Sequence, residues 1–231
     1  MTGIRPRRVS LATKRLLDVC WAAAALIAFS PLLLAVAVAV RASQGGPVLF
    51  RQRRPGLHGE PFTIFKFRTM RTPRADEVWY LTDDQRITRL GRFLRSSSID
   101  ELPGLWNVVR GEMSLVGPRP LLMEYLDDYT PEEHRRHELR PGITGWAAIN
   151  GRNTLQFGER LALDVWYIDH WSMALDLRII VLTALQVLRR EGATPTEDLA
   201  LGFPLEGAEE AIAVRDAQAS SVGPQGVAAK G

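Results

Sequence analysis

A proline in the middle of an apolar run constrains this chain more than any other feature. Val19 to Val40 is a run of 22 residues without a charge, long enough to cross a bilayer as one helix. Ser30-Pro31 sits at its centre. Proline removes a helix hydrogen bond and clashes with the preceding turn, so the helix must kink there. The Ser30 hydroxyl can satisfy the carbonyl that is freed, which makes a kink tolerable in apolar surroundings. Both flanks are basic: Arg7, Arg8, Lys14 and Arg15 before the run, Arg41, Arg51, Arg53 and Arg54 after it. Positive charge stays on the cytoplasmic side of a membrane. A spanning helix would place one basic flank outside. A helix–break–helix hairpin dipping into one leaflet keeps both inside, and the charge pattern favours it. A cleaved signal peptide is disfavoured, because the run exceeds an ordinary h-region and no clear mature start follows Val38-Ala39-Val40.

The net charge of +3 hides an asymmetry. Residues 1–74 hold thirteen Lys/Arg against two acids, and the remainder holds sixteen against twenty-four. A basic N-terminal part points to an anionic partner: a lipid surface, a phosphorylated ligand or nucleic acid. Cys20 is the single cysteine, so no intrachain disulfide forms, which suits a reducing compartment.

Past Gly45-Gly46-Pro47, Val48-Leu49-Phe50 reads as a short strand and Phe62 to Met70 as a second, with turn residues Pro55-Gly56 and His58-Gly59 between. Strand alternation would put Lys66 and Arg68 on one face, suited to a phosphate or lipid headgroup; an edge strand with solvated charges fits equally. Residues 71–85 read as loop or short helix. Arg86, Arg89, Arg92 and Arg95 form a ladder at spacing three, ordinarily a solvated helix face. Directly after it comes Ser98-Ile99-Asp100-Glu101-Leu102-Pro103. Two adjacent carboxylates among arginines suit catalysis, but Ser98-x-x-Glu101 is also a capping box. Both readings stand together, because a helix N-terminus attracts phosphate.

Leu102 to Arg110 reads as a helix stopped by Gly111, and Leu115 to Pro120 as a strand that presents Arg119 between two prolines. Thr130 to Leu139 reads as a short helix capped by Thr130, with His134 and His137 on its surface. Arg140 to Trp146 and Asn150 to Asn153 read as loops. Two helices follow, Glu159 to His170 and Leu175 to Arg190. Trp166, Tyr167 and Trp171 beside them suit a membrane interface, although a buried core fits the composition as well.

These motifs together resemble the bacterial sugar transferase family, the monotopic phosphoglycosyl transferases. The resemblance covers about residues 12–192. It rests on Lys14-Arg15 with Asp18, on Ser30-Pro31, on Lys66-Phe67-Arg68-Thr69-Met70, and on Arg95 with Ser98 to Pro103. It rests further on Met113 to Pro120, Arg140 to Gly145, Asn150-Gly151-Arg152, and Asp164 with Trp166-Tyr167. Ala148, and Gly104 after Pro103, depart from it where the family often carries glutamine.

The resemblance implies an α+β, mainly helical fold: a basic tail (1–12), a re-entrant membrane helix (13–42) broken at Ser30 and Pro31, and a small cytoplasmic catalytic domain (43–192). That domain would carry a short β-hairpin and interfacial helices. Outside the resemblance, the chain loses periodicity after Gly192, and 193–231 reads as a disordered tail. The resemblance also implies transfer of a sugar-1-phosphate from a UDP-sugar to undecaprenyl phosphate, with release of UMP, at the cytoplasmic face of the bacterial inner membrane. Asp100 would be the nucleophile and form a phosphosugar-aspartate. Mg²⁺ would be required; Asp100 and Glu101 are its candidate ligands, and for Glu101 the sequence leaves three roles open: binding the metal, orienting Asp100 or taking a proton. Lys66, Arg68, Arg95, Arg119, Arg152 and Asp164 would bind phosphate or substrate. Membrane lipids are implied partners, and a homo-oligomer is left open. A non-enzymatic adaptor binding anionic lipid is the competing reading. A nucleic-acid binder is disfavoured, because no reading motif is present. The hairpin predicts that reagents sealed out of the cytoplasm label neither residue 10 nor residue 45 when cysteines are placed there; labelling of either from outside refutes it.

Overall fold

A computed structural model describes residues 8–72, 86–151 and 156–189. The tail expected over 193–231, Arg152, and most of the loop expected over 71–85 lie outside the described residues.

Helices α1 (Arg8–Ala28) and α2 (Ser30–Gln44) meet at Phe29 with a bend of 63°. Pro31 has no N–H to give Ile27 O, four residues back, and the Ser30 hydroxyl donates to that carbonyl at 2.8 Å. Phe29 N–H still reaches Ala25 O, and Leu33 N–H reaches Phe29 O, each at 2.8 Å. Among the described residues no single helix is long and apolar enough to cross a membrane; the bent pair passes that test together. α1 begins at Arg8, inside the stretch expected to be a tail, and α2 runs on to Gln44.

Both helices lean on the core. Ala22, Ala25 and Leu26 of α1 pack with Phe62, Leu105 and Val108. Val36 and Val40 of α2 pack on Phe67 and Leu94. Their outward faces are apolar too: Trp21 is 66% exposed, Ile27 75%, Leu34 67% and Val38 61%. Each such side chain in water forgoes about 1–2 kcal/mol of transfer free energy, which favours a non-aqueous neighbour there. The root of α1 is held by charge. Buried Lys14 pairs with Asp176 at 2.6 Å and Asp18 at 3.7 Å, and Asp18 also accepts from the Ser114 hydroxyl at 2.7 Å.

β1 (Leu49–Pro55) and β2 (Pro61–Phe67) form the expected antiparallel hairpin. Buried Asn107 closes the far edge of β2: its amide accepts from Phe65 N–H at 3.2 Å and donates to Thr63 O at 2.6 Å. α3 (Arg89–Ser96) starts at Thr88, whose hydroxyl accepts from Gly91 N–H. A Cβ at Gly91 would lie 1.9 Å from Thr69 O, so glycine lets α3 lie against the end of β2. α4 (Leu105–Arg110) stops at Gly111 as expected, and Arg15 donates to the carbonyls of Val108 and Val109 at its C-terminus.

β3 (Ser114–Val116) and β4 (Gly142–Thr144) pair in parallel. This second sheet replaces part of the loop expected over 140–146; three residues are too few for alternation to register in the sequence. α5 (Pro131–His134), with its Thr130–Glu133 capping box, continues as a 3₁₀ turn, Arg135–Glu138. α6 (Trp146–Ile149), α7 (Phe157–His170) and α8 (Met173–Arg189) follow. The mainly helical α+β character is as expected. α8 is half core, half surface: Ile179 is fully buried, whereas Leu177 and Val181 are exposed. Tyr167 is buried and donates to Asp176 at 2.6 Å, while Trp166 is half-exposed.

His134 is exposed as expected, but His137 is buried, with Nδ1 3.3 Å from Gly56 O. The chain tightens into its 3₁₀ turn just there and carries the ring inward. Burial, then the neighbouring Arg136 charge, lower its pKa from 6.5 to about 4. The folded state therefore holds it neutral, and its contribution to stability is present above about 6.5 and lost as pH falls from there through about 4. The thermal midpoint is expected to drop across that window, and His137→Asn is expected to flatten the slope; equal slopes for both proteins would refute this.

Candidate functional site

The Asp100-Glu101 segment is built differently from its motif. Ser98 adopts a left-handed backbone (φ 55°, ψ 17°) and makes no side-chain cap bond, so the expected capping box does not form. Residues Ile99–Gly104 wind as a 3₁₀ turn that runs directly into α4. Glu101 turns away from the backbone instead. Its Oε1 accepts from Lys66 Nζ and from Arg119 Nη2, both at 3.1 Å. Lys66 comes from β2 and Arg119 from the loop after β3. That loop is set by Gly117, where a Cβ would stand 2.3 Å from Arg140 O, so the exit of β3 presses against the entry of β4. Asp100 beside Glu101 is buried, at 8% exposure.

Both carboxylates line a cavity of about 600 Å³. Four basic side chains line it, Lys66, Arg95, Arg119 and Arg160, with three acidic ones, Asp100, Glu101 and Asp164. Arg95, from α3, donates to the Thr69 hydroxyl at 3.0 Å. Asp164, from α7, is 1% exposed and pairs with Arg136 at 2.6 Å. Burial pushes its carboxyl up, and Arg136, then Arg160 and Arg119, pull it back. With Asp164 matched by Arg136, positive charge is in excess and suits a polyanion such as a diphosphate. Ile143 of β4, Ala147 of α6, and Ile180, Ala184 and Val187 of α8 add apolar lining, beside the hydroxyl-bearing Ser97, Ser98, Thr144 and Thr183. Phe29, at the break between α1 and α2, lines it as well.

The structure therefore brings together Lys66, Arg95, Asp100, Glu101, Arg119 and Asp164. Arg68 stands elsewhere. β2 ends at Phe67, so the pleat does not carry Arg68 alongside Lys66. Its guanidinium instead donates to the carbonyls of Gln44, of Gly45 at 2.9 Å and of Gly46 at 3.0 Å, just past α2. Ser30 and Pro31 lie at the break, next to Phe29. Ala148 lines the cavity, and at Gly104 a Cβ would stand 3.0 Å from Ile143 Cδ1. Sequence reasoning missed Arg160 and Arg136. Arg160 stands four residues before Asp164 on one helix, a spacing that places both on the same face. Arg136 sits in a highly charged stretch, among other charges that gave it no distinguishing signal.

The sequence profile described as bacterial sugar transferase matches residues 9–190. The chain is 52% identical over 183 residues to the uncharacterized sugar transferase EpsL of Bacillus subtilis, covering 79% of this chain and 91% of that protein. It is 45% identical over 202 residues to the UDP-glucose:undecaprenyl-phosphate glucose-1-phosphate transferase of Xanthomonas campestris pv. campestris, covering 83% of this chain but only 42% of that protein. It is 44% identical over 201 residues to the protein of the same name in Caulobacter vibrioides, covering 83% and 75%.

The contrast between the two arginines is testable. Arg68→Ala strips its donor from three carbonyls and is expected to cost about 2–4 kcal/mol in denaturant unfolding. Arg119→Ala is expected to leave the unfolding midpoint nearly unchanged and to weaken pyrophosphate binding at least about tenfold by calorimetry. The reverse pattern would overturn both placements.

Proposed function

The chain belongs to the bacterial sugar transferase family, and on that premise we propose that it transfers a sugar-1-phosphate from a UDP-sugar to undecaprenyl phosphate and releases UMP. The observation that carries this reading is one cavity lined by a buried carboxylate, a cluster of cations and apolar side chains. A sugar nucleotide is a water-soluble diphosphate, and a polyprenyl phosphate is a lipid; each finds matching lining there. The glucose-1-phosphate transferases among the relatives make UDP-glucose the first donor to test.

In the proposed reaction an Asp100 carboxylate oxygen attacks the sugar-proximal phosphorus. The bond from that phosphorus to the bridging oxygen breaks, and UMP departs with the oxygen. A phosphate oxygen of undecaprenyl phosphate then attacks the same phosphorus, and the bond to Asp100 breaks to restore the carboxylate. Splitting the exchange means the two unlike substrates need not meet at once. Glu101 holds Lys66 and Arg119 beside the nucleophile, where charge develops on the leaving phosphate. Arg95 and Arg160 are in place for the remaining phosphate oxygens.

Mg²⁺ fits this donor set as an ion arriving with the substrate. Among the described residues no group of three or more His, Cys, Asp or Glu side chains converges to hold a metal ion. Mg²⁺ commonly takes one or two carboxylates together with substrate phosphates and water, a role open to Asp100 and Glu101. When bound, it supplies further neutralisation of phosphate charge.

The bent pair α1–α2 serves as a re-entrant hairpin in the cytoplasmic leaflet of the bacterial inner membrane. The 63° bend, the bonded break at Ser30 and the exposed Trp21, Ile27, Leu34 and Val38 support this placement.

Purified full-length protein with UDP-glucose, undecaprenyl phosphate and Mg²⁺ is expected to release UMP. Asp100→Asn is expected to lower the rate at least about a thousandfold, and the wild type to yield a trapped phosphosugar adduct on Asp100. Undiminished UMP formation by Asp100→Asn would refute the nucleophile assignment, and a wild type that releases no UMP from any donor would favour the adaptor reading.

A further inference from the structure

The cavity residues leave Arg136 unexplained. It is 1% exposed and does not itself line the cavity. We propose that Arg136 is a positioning residue that sets Arg119 and Asp164 in their working geometry. This rests on the reaction proposed above.

One nitrogen makes both connections. Arg136 Nη2 donates to Asp164 Oδ2 and to the backbone carbonyl of Arg119, each at 2.6 Å. Nη1 donates to the Tyr129 hydroxyl at 2.9 Å, and the guanidinium carbon lies 5.6 Å from the Tyr129 ring centroid. Arg119 is thereby held at two ends, its side chain by Glu101 and its backbone by Arg136. The same guanidinium joins the loop after β3 to α7, which carries both Asp164 and Arg160 into the cavity. Stability alone is a weak reason for this charge. A buried guanidinium loses much of its hydration, and an apolar side chain of similar volume often serves the fold as well or better. Arg136 Nε is moreover buried without an acceptor. Lysine does not replace the fork: an ammonium is a compact point charge and cannot reproduce the planar set of bonds.

The test is a double-mutant cycle on full-length protein in lipid nanodiscs, reading UMP release from UDP-glucose with undecaprenyl phosphate. Arg136→Lys is expected to lower kcat about 30-fold or more in the wild-type background, since small misplacements of a positioning group carry such losses. In the Arg119→Lys background the same change is expected to cost about threefold or less, because the group it positions is already altered. Equal losses in both backgrounds, or no loss in the wild-type background, overturn the proposal. Should Arg136→Lys lower the unfolding midpoint below the assay temperature, Tyr129→Phe carries the comparison. It removes one tether isosterically, and a loss of about threefold or more that disappears in the Arg119→Lys background supports the proposal, while equal losses overturn it. Wild-type protein that releases no UMP from any donor refutes the reaction and this inference together. Active wild type with additive losses refutes only the positioning role.

Discussion

Lys14 is the pin on which the arrangement of this molecule turns. Its ammonium, 6% exposed as a residue, bridges Asp18 on its own helix and Asp176, 162 positions away on α8. The two aspartates do not rely on Lys14 alone. Asp18 accepts from the Ser114 hydroxyl, and Asp176 accepts from the Tyr167 hydroxyl and the Trp171 indole at 3.1 Å. One buried cluster thus fixes α1 against β3, α7 and α8. Such clusters contribute little net stability, because desolvation offsets most of their attraction. Their value lies in directional bonds that a slid or rotated packing cannot remake. A purely apolar contact between α1 and the core would tolerate sliding by a turn; this one does not.

The same logic recurs at the cavity. Glu101 is arranged less as a reacting group than as an anchor for two cations from separate elements. Without it, Lys66 and Arg119 would repel each other across the cavity. The acid–base cluster is therefore organised before any ligand arrives, and reorganisation is avoided when one does.

Much of this was legible in the sequence, and the failures share a cause. The break at Pro31, its repair by Ser30, the β-hairpin, the Gly111 stop and the Thr130 cap are local effects, encoded within a few residues. Six of the eight residues expected around a substrate line one cavity, because the resemblance carried long-range information that single motifs lack. The capping box at Ser98 failed because Glu101 found stronger partners in two cations than in a backbone amide. Arg68 read as a ligand group because composition records charge but not whether carbonyls nearby need a donor. His137 read as surface, and Arg136 gave no signal, because their burial depends on contacts with Gly56 and Asp164, both distant in the chain.

The unlike linings of the cavity have a further consequence. On the proposed reaction, the two products differ in solubility as sharply as the two substrates. UMP has no affinity for the hydrocarbon around Phe29 and Ile180, and the lipid-linked product has none for bulk water. On that reaction each would leave toward the solvent it prefers. Traffic through the site is then sorted by partitioning, with no hinged gate required, and the pace of lipid exchange becomes a property of the bilayer's fluidity as much as of the protein.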